Sequence, residues 1–330
     1  MSRLLHEYRQ LRARVLRRAD PIVLMYHRVV DLRCDPWRLA VHPLRFAEQL
    51  DVLTRHRAVV PLGWLVAELE AGRLPQNVAC LTFDDGYVDV LSNAKPVLER
   101  FNAPATIFLT TGAIGRQREF WWDTLSRILL ETERLPDELI IEVAGRRHEW
   151  RIDTGVGASM GRTALHLEVW NTLRLLPDSA RDDTLAALAQ WARRAPPARP
   201  DGRALDGDEV ITVFEPGFID IGAHGVTHAS LPALSDEQKR AEIRESRTTC
   251  GALVGQPIAA FAYPFGDYDG STEQIVRECG FSYACSTEPR SATSILERFR
   301  LPRLAMENWN AESLESRLHA GAAAFLGGGP

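Results

Sequence analysis

Short apolar runs alternate with longer segments of helical periodicity along most of the chain. Apolar runs of this length, bounded by Gly, Pro or polar residues, predict buried strands. They cover residues 22–26, 58–60, 77–83, 105–109, 218–223, 259–263, 281–285 and 299–304. Segments with apolar residues on one helical face cover residues 42–56, 62–70, 88–101, 235–253 and 271–278. Because a regular strand–helix alternation is typical of parallel sheets, the pattern predicts an α/β fold with a parallel sheet or barrel.

The alternation stops between residues 117 and 203, where the pattern changes. The elements predicted there are a helix from residue 120, a hairpin of residues 139–143 and 148–152, helices over 163–176 and 182–194, and a Pro-rich linker over 195–202. We interpret this segment as an insertion between barrel strands. The expected domains are a basic N-terminal helix (1–20), a split barrel (21–116 and 204–306), the insertion (117–203), and a C-terminal helix and tail (307–330).

Composition narrows the class of protein without naming a function. The 330 residues are 45% hydrophobic and 25% charged, with a formal net charge of -5, which is typical of a soluble globular protein. The mild acidity gives no electrostatic reason to expect nucleic acid as a partner. The cysteines are odd in number and show no CxxC spacing, so we expect reduced core thiols and no disulfide framework.

The N-terminal segment raises the question of membranes. No apolar run approaches the ~20 residues that a membrane-spanning helix needs. The arginine-rich first residues are not followed by the apolar core of a signal peptide, so none is expected. Apolar residues between positions 4 and 16 fall roughly on one helical face. The helix is expected to dock on the domain or to lie on an anionic membrane surface as a peripheral contact.

Two adjacent carboxylates, Asp84 and Asp85, follow the apolar run 77–83 and precede Gly86. Ligands bind at the carboxyl ends of strands in parallel sheets, so this pair is expected at the rim where a substrate binds. Two like charges this close repel each other. One arrangement that relieves the repulsion has one aspartate on a metal ion and its neighbour free to accept a proton. The alternative is a turn followed by a helix cap, which Asp and Gly also favour.

Two histidines, His224 and His228, lie four residues apart just after the predicted strand 218–223. An isolated pair of this kind is a weak signal, because such histidines often lie on the surface. Two histidines and one carboxylate with an open position form a familiar catalytic set for a divalent metal. Such a metal lowers the pKa of a bound water, which then becomes the nucleophile. Because both motifs follow strand ends, the sequence favours metal-dependent hydrolysis.

These motifs carry a resemblance to a known family. The chain resembles polysaccharide deacetylases of the NodB-homology type, carbohydrate esterase family 4. The family motif T-F-D-D-G matches residues 82–86, and H-[ST]-x-x-H matches residues 224–228 with Gly225 in the small-residue place. A third motif, R-x-P-[FY], matches residues 262–265 with the arginine missing. The resemblance covers residues 21–304 apart from the insertion.

The resemblance implies a fold, an activity and a set of site residues. The fold would be a distorted (β/α) barrel of NodB/polysaccharide-deacetylase type with an inserted helix and hairpin segment, and the activity would be removal of acyl groups from N-acylated sugars. Matching positions make Asp84 the general base. One divalent metal ion, usually zinc, would be held by Asp85, His224 and His228, and the backbone N–H of Phe265 would help to hold the oxyanion. The residues expected to contact substrate beside these motifs are Tyr87, Tyr263, Pro264 and Phe265.

Departures from the family pattern leave two roles open. Ala262 stands where the family's arginine would hold the base, and neither the Trp-bearing fourth motif nor the L-x-H motif that supplies the general acid has a match. Arg303, on the predicted closing strand, is expected to reach Asp84 and keep it ionised. His27, at the end of the first strand, is expected to donate a proton to the leaving amine or to bind substrate. The alternatives are an arginine paired to a surface carboxylate and a histidine hydrogen-bonded within the core.

Trp121 and Trp122 follow the fourth predicted strand and its turn. Their aromatic faces suit the apolar faces of sugar rings, so at least one is expected to contact substrate. The alternative is that the pair anchors the insertion in a core.

Taken together, the sequence predicts a metal-dependent hydrolase that removes an N-acyl group from a sugar, a polysaccharide or a lipid-linked sugar precursor. The alternatives are a non-catalytic carbohydrate-binding relative and an amidase acting on a small cyclic amide or a formamido sugar. The presence of Asp84, Asp85, His224 and His228 together argues against the non-catalytic relative, because binding alone does not need a base beside the metal. A cytoplasmic location, at the inner face of the membrane where lipid-linked sugars are met, is expected from the lack of a secretion signal.

Overall fold

The computed structural model describes residues 18–143, 145–151, 158–193 and 199–325. The expected basic N-terminal helix lies outside these residues up to position 17, and residues 18–20 are not helical. Contacts divide the chain into two compact units. One comprises Met1–Leu32, Trp37–Gly115 and Leu205–Pro330, and the other comprises Arg33–Pro36 and Arg116–Ala204.

Strands and helices alternate through most of the chain. The strands of the described residues are β1 (Ile22–Tyr26), β2 (Arg28–Val29), β3 (Ala40–Val41), β4 (Ala58–Val59), β5 (Val78–Phe83), β6 (Ala105–Leu109), β7 (Glu138–Val143), β8 (Arg146–Arg151), β9 (Ile219–Ala223), β10 (Ala260–Ala262), β11 (Tyr283–Cys285) and β12 (Leu304–Ala305). The α-helices are α1 (Pro43–His56), α2 (Leu62–Glu70), α3 (Lys95–Phe101), α4 (Trp121–Leu130), α5 (Ala158–Leu173), α6 (Asp178–Trp191), α7 (Gly207–Val213), α8 (Asp236–Val254), α9 (Gly270–Glu278) and α10 (Ala311–Ala320). None of the described helices is both long and apolar enough to cross a bilayer.

The larger unit is built on a curled parallel sheet. Its strands lie in the order β11-β10-β9-β6-β5-β1-β12, and β4 pairs with the beginning of β5. A parallel bridge between Cys285 and Leu301 joins β11 to the segment that leads into β12, so the two edges of the sheet meet. The prediction of a distorted (β/α) barrel is therefore confirmed.

Alternate side chains of the barrel strands divide between two cores, because side chains on a strand alternate with a period of two. In β5, Leu81 and Phe83 belong to the core that faces the surrounding helices. The second core includes Val23, Cys80, Phe108, Ala260, Ala262, Tyr283, Cys285 and Leu301. We interpret this second core as the barrel interior. By the same alternation, Asp84 lies on the same face as Cys80 at the end of β5, and Arg303 lies on the same face as Leu301.

Several local features differ from the sequence-based expectations. The helix predicted over 88–101 begins with a π-helical turn at Val90–Ala94, and Pro96 lies in the first turn of α3, where its missing N–H costs nothing. The last strand is only Leu304–Ala305, although the segment before it bonds to β11. Helix α7 and the short β2–β3 pair were not predicted.

The smaller unit contains the hairpin and helices of the predicted insertion. β7 and β8 pair antiparallel, which confirms the predicted hairpin, and the helices predicted over 163–176 and 182–194 are α5 and α6, which begin and end a few residues earlier. In this unit the Trp121 ring packs edge-on against Trp122 and lies 6.2 Å from the Trp170 ring, and Trp122 stacks on Phe120.

Candidate active site

Four predicted site residues of the barrel follow the carboxyl ends of parallel strands of one sheet. Asp84 and Asp85 follow β5, His224 follows β9, and His27 follows β1. Parallel strands present all these ends at one edge of a sheet, where α/β proteins bind ligands. The structure therefore brings the two sequence motifs to one place.

The two aspartates lie in a tight turn and both approach His224, with Asp84 Oδ2 at 4.0 Å and Asp85 Oδ1 at 3.7 Å from its Nε2. Asp85 and Gly86 both adopt the left-handed backbone conformation, with φ of 70° and 77°, and the Gly86 N–H donates to the Asp84 carbonyl at 2.9 Å. A Cβ on Gly86 would lie 2.5 Å from Leu109 Cδ2, and a residue with a side chain would have to adopt the same left-handed backbone, so the position favours glycine. Because Asp85 is not a glycine, its left-handed backbone is strained, which is typical of functional positions.

Three side-chain atoms form a candidate metal site. One ligand atom each from Asp85, His224 and His228 lies within 4.8 Å of the other two, and all three side chains are buried. Asp85 Oδ1 lies 3.3 Å from His228 Nε2 and 3.7 Å from His224 Nε2. Ligand atoms at about 2.0–2.2 Å from a tetrahedral ion are about 3.3–3.6 Å apart. The set of two imidazoles and one carboxylate therefore fits a divalent ion.

The backbone around each histidine fixes the direction of its ring. His224 Nδ1 lies 2.8 Å from the carbonyl oxygen of Ala262, which can only accept, so this nitrogen carries the proton and Nε2 is left to bind a metal. His228 has a φ of 53°, and its ring centroid lies 4.4 Å from that of Phe265, whose φ is 58°. Phe265 thus forms an aromatic wall beside the metal ligands.

Asp84 is held by a buried arginine. Arg303 Nη1 donates to Asp84 Oδ1 at 2.6 Å and Nη2 donates to Oδ2 at 2.7 Å, and the arginine is fully buried. The same guanidinium donates to Thr82 Oγ1 at 3.2 Å and to the Ser286 carbonyl at 2.9 Å. Burial is the largest single influence and raises the pKa of the Asp84 carboxyl, but the charge and hydrogen bonds of Arg303 together with His224 and His27 outweigh it and hold that pKa well below its ordinary value of 3.8. The predicted contact between Arg303 and Asp84 is confirmed, and its role in catalysis stays a prediction.

His27 lies close enough to this pair to interact with it electrostatically. Burial lowers the pKa of His27 to about 4, and among the charges around it Asp84 raises the pKa while Arg303 lowers it. The imidazole is therefore neutral at pH 7. Of the two roles expected for His27, hydrogen bonding to substrate suits a neutral ring better than proton donation, and both roles stay predictions.

The remaining candidate residues are mostly buried. Tyr87 lies under the Arg28 guanidinium, 4.4 Å from its carbon, and the Tyr263 hydroxyl donates to the Phe299 carbonyl at 2.8 Å. Trp121 and Trp122 are 8% and 4% exposed, as core anchors would be. Pro264 is also buried, whereas Phe265 is partly exposed. A substrate role for these residues stays a prediction, and the Phe265 ring packs against that of His228, a candidate metal ligand.

One buried ion pair beside the site was missed from the sequence. Arg28 Nε donates to Asp89 Oδ2 at 2.9 Å, the Val29 N–H donates to Asp89 Oδ1 at 2.8 Å, and both charged side chains are 1% exposed. The pair ties the end of β1 to the turn after Asp85. No periodicity links two residues so far apart in sequence, so no sequence signal could have paired them.

Comparisons with known proteins agree with this geometry. A family model described as polysaccharide deacetylase matches residues 71–139 and 168–284. The chain belongs to the polysaccharide deacetylase family. The curated protein YxkH of Bacillus subtilis (strain 168), whose name places it in the same family, is 26% identical over 86 residues, and the match spans 26% of this chain and 31% of that relative.

Several solved structures share the fold. The Streptococcus pyogenes deacetylase PplD, in complex with acetate, superposes with a TM-score of 0.58 at 17% identity, over 91% of this chain and 98% of that one. IcaB from Ammonifex degensii gives 0.58 at 18% identity, over 92% and 97%. A de-N-acetylase from Aggregatibacter actinomycetemcomitans gives 0.53 at 15% identity, over 87% and 95%. At these identities the likeness concerns the fold alone, and the resemblance found in the sequence is confirmed by the family model.

Proposed function

We propose that the protein is a metal-dependent N-deacetylase that removes an acetyl group from an N-acylated sugar, in a polysaccharide or a lipid-linked precursor. The observation that carries the proposal is the Asp85, His224 and His228 cluster with the ionised Asp84 next to it. Family membership supports a carbohydrate substrate. The acetate in the PplD complex supports acetyl as the group removed.

The reaction places one demand on each residue of the site. The bound divalent ion, for which we propose zinc, would acidify a water molecule and polarise the amide carbonyl. Asp84 accepts the proton that the attacking water gives up. Arg303 contacts both carboxylate oxygens, so it keeps Asp84 charged and fixes the plane of its carboxylate. In this arrangement Asp84 is paired to Arg303, while Asp85 Oδ1 lies between the two histidines.

Amide hydrolysis must also return a proton to the departing sugar nitrogen. The water oxygen adds to the acyl carbon, and its proton goes to Asp84. The C–N bond then breaks, and this proton has to reach the departing amine. His27 interacts electrostatically with Asp84, so we assign it to this transfer or to holding the substrate. The Phe265 N–H is assigned to the oxyanion, in line with its left-handed backbone beside His228.

The experiment compares metal content and acetate release. Metal-free protein is reloaded with zinc and assayed on N-acetylated oligosaccharides and lipid-linked sugars, with cyclic ureides as the substrate of the competing amidase hypothesis. Asp85→Ala and the double variant His224→Ala/His228→Ala are expected to lose both the metal and the activity. His319→Ala, in α10, is the matched histidine control and is expected to retain both.

Two results would count against the proposal. Stoichiometric zinc in the double histidine variant would remove these residues as ligands. A zinc-loaded wild-type protein that binds sugars but releases no acetate from any of them would instead support the non-catalytic relative.

A further inference from the structure

The loop that separates the two metal-binding histidines is held from two sides. On the side of β6, the Thr111 N–H donates to the Gly225 carbonyl at 3.0 Å and the Gly112 N–H donates to the Val226 carbonyl at 2.8 Å. These bonds fix the carbonyl groups of the loop. Its N–H groups point the other way, towards helix α8.

One carboxylate on α8 takes the donors of this loop. Glu242 Oε2 accepts from the Val226 N–H at 2.8 Å and from the Thr227 N–H at 2.9 Å, and Oε1 accepts from Thr227 Oγ1 at 2.7 Å. Hydrogen bonds to an ionised acceptor are shorter and stronger than neutral ones. The two backbone donors belong to the residues just before His228, so they set where its Cα lies.

The position before these donors has no side chain, and the carboxylate uses that space. A Cβ on Gly225 would lie 3.2 Å from Glu242 Oε2 and 3.6 Å from Pro264 Cγ. The φ of Gly225 is 77°, a conformation that other residues adopt with strain. Gly225 and Glu242 therefore fit each other: the missing side chain leaves room for the carboxylate to approach the loop.

We propose that Glu242 is the positioning residue of the metal site, holding the loop so that His224 and His228 both face Asp85 before a metal arrives. Glu242 touches neither the ligand atoms nor a substrate, and it acts through the backbone of residues 226 and 227. The inference rests on the proposed function, because it concerns the same metal site. It adds a residue that lies outside the sequence motifs.

The physical consequence is a change in metal affinity. A loop held in its metal-binding conformation loses its conformational entropy during folding. A loose loop loses that entropy when the metal binds, which weakens metal affinity. Removal of a group that orients metal ligands typically weakens metal affinity by about 10–100-fold. The alternative is that Glu242 only stabilises the fold, in which case the affinity of folded protein for metal would not change.

The test measures zinc affinity by competition with a chromophoric chelator, on wild type, Glu242→Ala, Glu242→Gln and Glu245→Ala. Glu245 lies on the same helix and is exposed, so its variant is the matched control. Glu242→Ala is expected to raise the zinc Kd by about 10–100-fold, and Glu245→Ala to leave it unchanged. Glu242→Gln, which keeps the size and one acceptor oxygen, is expected to fall between them and remains informative where the alanine variant does not fold.

A second measurement does not use the metal. In metal-free protein, the amides of Val226 and Thr227 are expected to exchange hydrogen faster in Glu242→Ala than in Glu245→Ala, because their acceptor is gone. A zinc Kd within threefold of wild type in both Glu242 variants would overturn the inference and leave the proposed function intact. Failure of wild type itself to bind zinc through Asp85, His224 and His228 would overturn both.

Discussion

The pairing of Asp84 with Arg303 allows a quantitative prediction. Arg303→Leu removes the guanidinium and leaves a buried carboxylate without its cation, while Asp84→Asn leaves a buried guanidinium without its anion. Removing one partner of a buried pair costs about 3–5 kcal/mol of unfolding free energy. Arg303 also bonds to Thr82 and Ser286, so its loss is expected at the upper end, about 5 kcal/mol. Asparagine keeps the shape and one acceptor of aspartate, so Asp84→Asn is expected to cost about 3 kcal/mol.

The double variant separates the pair from its surroundings. With both charges gone, neither is left buried alone, so the double variant is expected to be more stable than the sum of the singles by about 2–3 kcal/mol. Activity is expected to follow a different pattern. Asp84→Asn is expected to retain zinc and to lose about 10²–10⁴-fold in kcat, the usual size of a general-base contribution. Arg303→Leu is expected to lower kcat because the base is no longer held charged and in one plane.

The assays are urea unfolding of the four metal-free proteins and kcat at saturating zinc. Thr82→Val serves as the control, because it removes one bond to Arg303 and leaves the ion pair in place. Strict additivity of the two single variants in unfolding free energy would refute the coupling. A kcat of Arg303→Leu within a few-fold of wild type would refute the claim that Arg303 supports the base.

Two further predictions concern the smaller unit. Trp121→Ala is expected to cost about 3–5 kcal/mol of stability and to leave KM unchanged, because Trp121 is 8% exposed and packs among aromatic rings. The control is Trp64→Ala, because Trp64 is 41% exposed. A raised KM of Trp121→Ala at an unchanged melting temperature would restore the substrate-contact hypothesis. Burial lowers the pKa of His166 from 6.5 to about 4, so the unfolded chain binds the proton and stability is lost as pH falls from about 6.5 towards 4. Between pH 7 and 5 this loss amounts to about 2 kcal/mol relative to His166→Leu, measured by urea unfolding, and parallel pH curves for the two proteins would contradict it.

The parts of the fold that could be predicted are those with a strong local signal. Residues 22–26 and 105–109 are short and apolar apart from Thr106, and both were found as strands with those bounds. The clustering of Asp85, His224 and His228 could be predicted because the two motifs follow strand ends, and the topology of a parallel sheet brings such ends together. Helix α7 carries a capping box between Asp206 and Glu209, a signal that was present in the sequence but was not used.

Other parts of the site have no local signal at all. Glu242 is one of several glutamates on a charged helix, and the residues next to it in sequence do not distinguish it from Glu245. Only the three-dimensional structure shows that the loop after β9 bonds to Glu242. The burial of Trp121 and Trp122 depends on helices α5 and α6, which follow them by tens of residues. Long-range packing decides such cases, and a single sequence does not reveal it.

Arg303 shows that the absence of the motif arginine at Ala262 does not leave Asp84 without a cation. Ala262 pairs in register with Cys285, and Cys285 bridges to Leu301, so the segment that carries Arg303 lies two strands from Ala262 around the ring. Ala262 and Leu301 belong to the same core, and Arg303 lies on the same face of its segment as Leu301. An arginine side chain on either segment can therefore extend inwards to the end of β5. The proposed chemistry requires a cation at the Asp84 carboxylate, and the strand that supplies it is free to vary. In a closed barrel, the chemistry therefore depends more on where the charge lies in space than on which sequence position supplies it.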